Sequence, residues 1–154
     1  MTTLTLPKNL VDVLLHEIPR LTKDTLTLLA TKAASLGQVM GRILLGAATA
    51  AAKTGGNTGN GTFALDATTP ILAFAMAGIY TVRCITTATN GGTFRVTDPR
   101  GRVLGDVAVG ATFANQIKFV IADGSTDFVV GDGFDVTIAE GSRKVVPFDP
   151  AALD

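Results

Sequence analysis

IYTVRCIT (79–86), TFRV (93–96), IKFVIA (117–122) and FVVGDGFDVTIA (128–139) follow one another in the stretch that opens at Gly78, and each run is closed by a turn. NGG (90–92) ends the first. DPRG (98–101) follows the second, with Pro at the second turn position and Gly at the fourth, as a type I turn prefers. DGS and GDG punctuate the rest. Apolar residues recur at every second position: Phe94 with Val96, then Ile117, Phe119 and Ile121, then Phe134, Val136 and Ile138. A period of two over runs this short means strands with one buried face. The expected fold class is all-β: a small antiparallel β-barrel or β-sandwich module, Ig-like or jelly-roll-like, with an N-terminal arm carrying at most a short helix.

Outward from this module the pattern weakens. The segment GGNTGNGT (55–62) reads as a boundary between two structural units, a flexible junction or a hairpin, and GAATAAAK (46–53) before it reads as a loop. FALDATTPILAFA (63–75) supplies a strand, a Pro-broken connection and a further apolar run. Upstream, DTLTLLA and QVMGRILLG resume a β-like alternation, and Gly37, Gly41 and Gly46 favour short strands with bends over helix. Past Gly141, a short strand is expected over 144–148. Residues 1–22 stand apart. Leu10, Val11, Leu14 and Leu15 can share one face of a two-turn helix with Asn9 as N-cap, and an extended arm is the competing reading. The resulting division is an arm over 1–22, β segments over 23–53 plus 142–154, and an inserted β-sandwich module over 54–141.

Composition narrows the function. The 154 residues carry 13 basic and 13 acidic side chains, so no general electrostatic pull draws the chain to nucleic acid or to an anionic membrane. One cysteine excludes an intramolecular disulfide and any multi-cysteine metal site. Asp12, His16 and Glu17 interrupt the N-terminal apolar run, so no targeting segment is expected there. The longest apolar stretch, 43–52, is far short of the ~20 residues that a spanning helix needs.

Each candidate chemical motif meets a simpler reading. GGNTGNGT fails as a phosphate loop because Thr62 stands where Lys is required and a strand follows where a helix should. Asp123, Asp127, Asp132 and Asp135 do not fit the spacing of a calcium loop, whereas Asp and Gly are ordinary turn residues. His16 is the single histidine, with no Ser or Cys nearby for a triad. Cys84 shares its parity with Tyr80 and Val82 and reads as a small buried hydrophobe. Arg83, Arg95 and Lys118 fall on the opposite, solvent-facing parity. No paired catalytic carboxylates and no nucleophile elbow occur, so no enzyme activity, no metal and no cofactor are expected.

Four segments taken in order carry a resemblance. LVDVLLHEIPRLTKDTLTL (10–28), GQVMGRILLG (37–46), GGNTGNGT and KVVPFDPAALD (144–154) together resemble phage head decoration proteins of the lambda protein D type. Val39, Met40, Gly41, Arg42 and Ile43 match a strand of that family. Pro147, Asp149, Pro150, Ala151, Ala152 and Asp154 match a late segment of it. Residues 55–141 resemble a β-domain inserted in many prophage-encoded members. The resemblance implies a cement protein on the outer face of the virion capsid, often a homotrimer at threefold or quasi-threefold positions, bridging major capsid protein subunits. An arm with unpaired backbone groups suits addition to a sheet edge on the shell, so Leu4, Leu6, Leu10, Val11, Leu14 and Leu15 are the candidate capsid-binding residues. The alternative is a surface-displayed adhesion or glycan-binding β-sandwich, against which stands the lack of Trp and the single Tyr80.

Overall fold

The computed structural model describes residues 25–149. Among them the protein is all-β, with ten strands and no helix. The arm, its short helix, His16 and the six candidate capsid-binding leucines and valine lie outside the described residues, as does the end of the late motif from Pro150 onward.

The chain divides into two compact units, one of them Leu45–Gly141. That unit contains β2 (Leu45–Ala52), β3 (Thr62–Leu65), β4 (Gly78–Ala88), β5 (Gly91–Thr97), β6 (Val103–Ala108), β7 (Thr112–Ala114), β8 (Lys118–Ala122) and β9 (Gly133–Glu140). They form a five-stranded sheet in the order β2-β9-β4-β5-β6 and a three-stranded sheet in the order β3-β8-β7, all antiparallel. The two sheets do not close, so the module is a sandwich and not a barrel. The pairings β2 with β9 and β3 with β8 are the nested ones with which a jelly roll begins. The middle strands depart from that plan, since β4, β5 and β6 run on as a meander in one sheet.

Alternation explains the core. Tyr80, Val82 and Cys84 of β4, Phe94 and Val96 of β5, and Phe134, Val136 and Ile138 of β9 point inward and are buried, as are Phe119 and Ile121 of β8. Phe63 of β3 stacks on Phe119 at 4.5 Å and lies 5.0 Å from Phe134 across the gap between the sheets. With no Trp available, these rings join the two layers. Each well-placed aromatic pair adds ~0.5–1.5 kcal/mol beyond its buried area. At the DPRG corner, the Gly101 amide donates to the Asp98 carbonyl at 2.9 Å, as the turn reading requires.

Two expectations are corrected. GAATAAAK is not a loop: most of it lies in β2, whose Thr49, Ala50, Ala51 and Ala52 pair with Thr137, Val136, Asp135 and Phe134 of β9. Alanine has little strand preference of its own, and here the exposed edge of β9 supplies the hydrogen bonds that set the conformation. The sandwich therefore begins at Leu45 and not at 54, so β2 belongs with it rather than with 23–53.

In the second unit, the described residues are 25–44 and 142–149. β1 (Met40–Arg42) pairs antiparallel with β10 (Val145–Pro147), in the register Met40 to Pro147, Gly41 to Val146 and Arg42 to Val145. DTLTLLA contributes only an isolated parallel bridge from Leu28 to Val145, not a strand, with the Leu29 amide donating to the Val145 carbonyl and the Val145 amide to that of Thr27. Buried Val145 is the centre of this small unit.

Candidate functional site

The most specific polar construction sits at one end of the sandwich. Asp132, 3 % exposed, receives the amides of Thr58 and Gly59 at 2.9 Å each and that of Val129 at 3.1 Å. Asn57 adds a fourth tie, its side-chain oxygen accepting from the Gly133 amide at 2.8 Å. Burial alone would raise the pKa of Asp132. The amides of Gly59, Thr58 and Val129, together with the charge of Lys53, outweigh burial and hold the carboxyl below the usual carboxylate range.

GGNTGNGT is consequently a clasp and not a flexible junction. A Cβ on Gly59 would come within 2.8 Å of Phe128, and one on Gly61 would land on the Phe128 ring and the Ala122 carbonyl. Phe128 is fully buried and meets Phe94 edge-on at 5.0 Å, so it plugs the end of the core while the glycines close over it. Gly59 and Gly61 are required by this close approach.

The other aspartates of the supposed calcium set go elsewhere. Asp127 accepts from the Asn90 amide, Asp135 pairs with Arg83, and one carboxylate oxygen of Asp123 is buried without a hydrogen-bond partner. No group of metal-ligating side chains gathers among the described residues. Asp98, also buried, accepts from the amides of Arg100 and Arg102 and from the Arg102 guanidinium. Burial opposes its ionisation, but these Arg102 and Arg100 donors prevail and its pKa is lowered.

On the outer face of the large sheet, Arg83 and Arg95 stand directly opposite each other across β4 and β5. Two like charges in that register repel. Each is offset by an aspartate on its far side, Asp135 for Arg83 and Asp106 for Arg95. The expected solvent-facing parity of these arginines holds. Cys84 is 2 % exposed, and burial pushes its thiol pKa up, which removes it as a nucleophile at neutral pH. Tyr80 is fully buried, its hydroxyl donating to Gln116 at 2.8 Å and accepting from the Met76 amide, so it offers no stacking surface.

The most exposed aromatic among the described residues is Phe74, which the sequence reading left inside an apolar run. It is 90 % exposed and has φ +63°. A second surface feature is a cleft of about 250 Å³ between β2 and β3, lined by Ala50, Ala51, Ala52, Thr62, Phe63 and Phe134.

No family model matches the chain, and no curated protein matches it. Among solved structures, FlgL of Xanthomonas campestris is similar at 24 % identity and a TM-score of 0.41, over 67 % of this chain and 33 % of that one. The chain thus spans about a third of the length of that protein.

Proposed function

We propose that this protein is a capsid decoration protein, a non-catalytic cement on the outer face of a phage head that bridges major capsid protein subunits. The observation that carries the reading is the pairing of β1 with β10. Met40, Gly41 and Arg42, from the second family-like segment, lie in register with Pro147, Val146 and Val145 from the last. Segments more than 90 residues apart in the chain thus make one small unit, as a decoration domain interrupted by an inserted module would. Attachment as a homotrimer at threefold positions is part of the same proposal.

In this reading residues 1–15 supply the grip, with Leu4, Leu6, Leu10, Val11, Leu14 and Leu15 as apolar anchors on the shell. Removal of residues 1–15 is expected to leave a folded sandwich that no longer co-sediments with purified capsids of the encoding phage. Undiminished co-sedimentation would refute the arm as the attachment element. The rival glycan-binding reading gains an exposed ring in Phe74. Residues 70–78 around it, however, carry no charged or amide side chain to bond sugar hydroxyls. A glycan array with no specific hits is the expected result.

A further inference from the structure

Asparagine is followed by glycine twice, as Asn60-Gly61 in the clasp and as Asn90-Gly91 in the β4–β5 hairpin. This dipeptide loses its side-chain amide more readily than others, because no side chain shields the glycine nitrogen. Asn9, Asn57 and Asn115 precede Leu, Thr and Gln, whose side chains crowd that nitrogen. In the reaction the glycine backbone nitrogen attacks Cγ of the asparagine and closes a five-membered succinimide. The bond from Cγ to Nδ2 breaks, and ammonia leaves with the proton given up by the backbone amide. Water then opens the ring at either carbonyl, giving aspartate or isoaspartate, with no oxidant or reductant consumed. Ring closure requires that Cγ be free to swing onto the nitrogen. By sequence alone the two sites are equivalent.

The fold separates them. Both asparagines are exposed, so exposure does not decide. Asn60 has its carboxamide held at both ends: Nδ2 donates to Ser125 Oγ and Oδ1 accepts from the Thr126 amide, each at 2.9 Å. Its own amide donates to the Thr126 carbonyl at 3.2 Å. The approach to the Gly61 nitrogen is also occupied, since a Cβ on Gly124 would stand 2.7 Å from it. Asn90 differs in each respect. Its hydrogen bond runs through the backbone, the amide donating to Asp127 Oδ1 at 2.9 Å, and leaves the carboxamide unengaged among the described residues. Gly91 is open, for a carbon added there would meet nothing closer than 3.8 Å.

We propose that Asn90 is a spontaneous modification site, converted to aspartate and isoaspartate in the native protein, while the clasp preserves Asn60. The change acts on the end of the sandwich. Asp127, which receives the Asn90 amide, adjoins Phe128, the ring that plugs the core. A carboxylate at position 90 stays close to its own backbone amide and therefore beside the Asp127 carboxylate, and the two like charges repel. Isoaspartate in addition inserts a carbon atom into the backbone of a two-residue turn. Modification thus weakens the tie between the β4–β5 hairpin and the Phe128 loop. The inference does not depend on the capsid reading, and either can fail alone.

The full chain, aged in mildly alkaline buffer at physiological temperature with and without unfolding urea, tests it by peptide mapping in a mass spectrometer. Conversion is read by the gain in mass, and isoaspartate by its separate elution. In the native protein Asn90 is expected to convert roughly tenfold faster than Asn60 or more, since two hydrogen bonds must open before Asn60 reacts. In urea the two rates should converge. Aged wild type should show a lower urea midpoint than fresh protein, whereas Asn90→Gly, which suits the φ of +54° at this position, should keep its midpoint on ageing. Asn60 converting as fast as Asn90 in the native protein overturns the proposal, as does an Asn90 that converts only once the chain is unfolded. So does an aged wild type whose midpoint falls no further than that of aged Asn90→Gly.

Discussion

Replacing Asp132 tests whether the glycine-rich clasp is structural. In Asp132→Ala three amides lose a charged acceptor. A hydrogen bond to an ionised group contributes ~1.5–3 kcal/mol, and a buried donor left unpaired costs ~1–3 kcal/mol. The Gly59 amide is buried and has no route to water, so it bears the full cost. The Thr58 and Val129 amides are partly buried and recover some hydration. The total is about 4 kcal/mol, a drop in Tm of roughly 15–30 °C for a domain of about 100 residues. Asp132→Asn keeps one acceptor oxygen and loses about half as much. Tyr80 is the chain's single tyrosine and sits in the sandwich core, so urea unfolding followed by its near-ultraviolet signal reports this unit alone. The carboxyl's folded pKa is depressed. Its contribution is therefore fully present above the unfolded value of ~3.9 and lost as pH falls through the folded one. The difference between wild type and Asp132→Ala must shrink on acidification below about pH 4. A variant within ~1 kcal/mol of wild type at pH 7, or a difference that does not change with acid, would refute the clasp argument.

Two further outcomes follow from close packing. Gly61→Ala drives a methyl group into Phe128 and is expected to cost ~1–3 kcal/mol in the same urea assay, while Gly91→Ala, whose added carbon meets nothing closer than 3.8 Å, stays within ~0.5 kcal/mol. Equal effects at the two sites would sink the packing explanation. The Cys84 thiol is expected to react with a disulfide reagent only at the rate at which the sandwich opens, so labelling should accelerate in step with added urea; rapid labelling of the native protein would contradict its burial.

The strands that the sequence made legible are those whose side chains report their own environment. In β4, β5, β8 and β9 a Phe, Ile, Val, Tyr or Cys stands at each buried inward-pointing core position and a Thr, Arg, Lys or Asp at many outward ones. β2 was hidden because LGAATAAA has nothing to alternate, and its conformation is imposed by β9, some 85 residues away. β6 is masked by Gly105, at φ +148° beside a register shift. The clasp was read as a boundary because glycine-rich composition looks alike whether the backbone is free or pressed against a ring. Only the fold brings Phe128 to Gly59 and Gly61. Phe74 was invisible for a related reason: an apolar run does not say which of its members faces water.

The ends of the sandwich give the architecture a practical property. Leu45 and Glu140 are register partners, and in the smaller unit Ile43 exchanges backbone bonds with Arg143 and Lys144. Partners across an antiparallel ladder lie only ~5 Å apart. A body that leaves and re-enters its host through so narrow a gap can be excised and the cut closed with a two- or three-residue turn. Any foreign domain with neighbouring termini can be spliced into the same gap. The junction at 44/45 and 141/142 is thus a natural cassette site, where cargo can be exchanged without altering the pairing of β1 with β10.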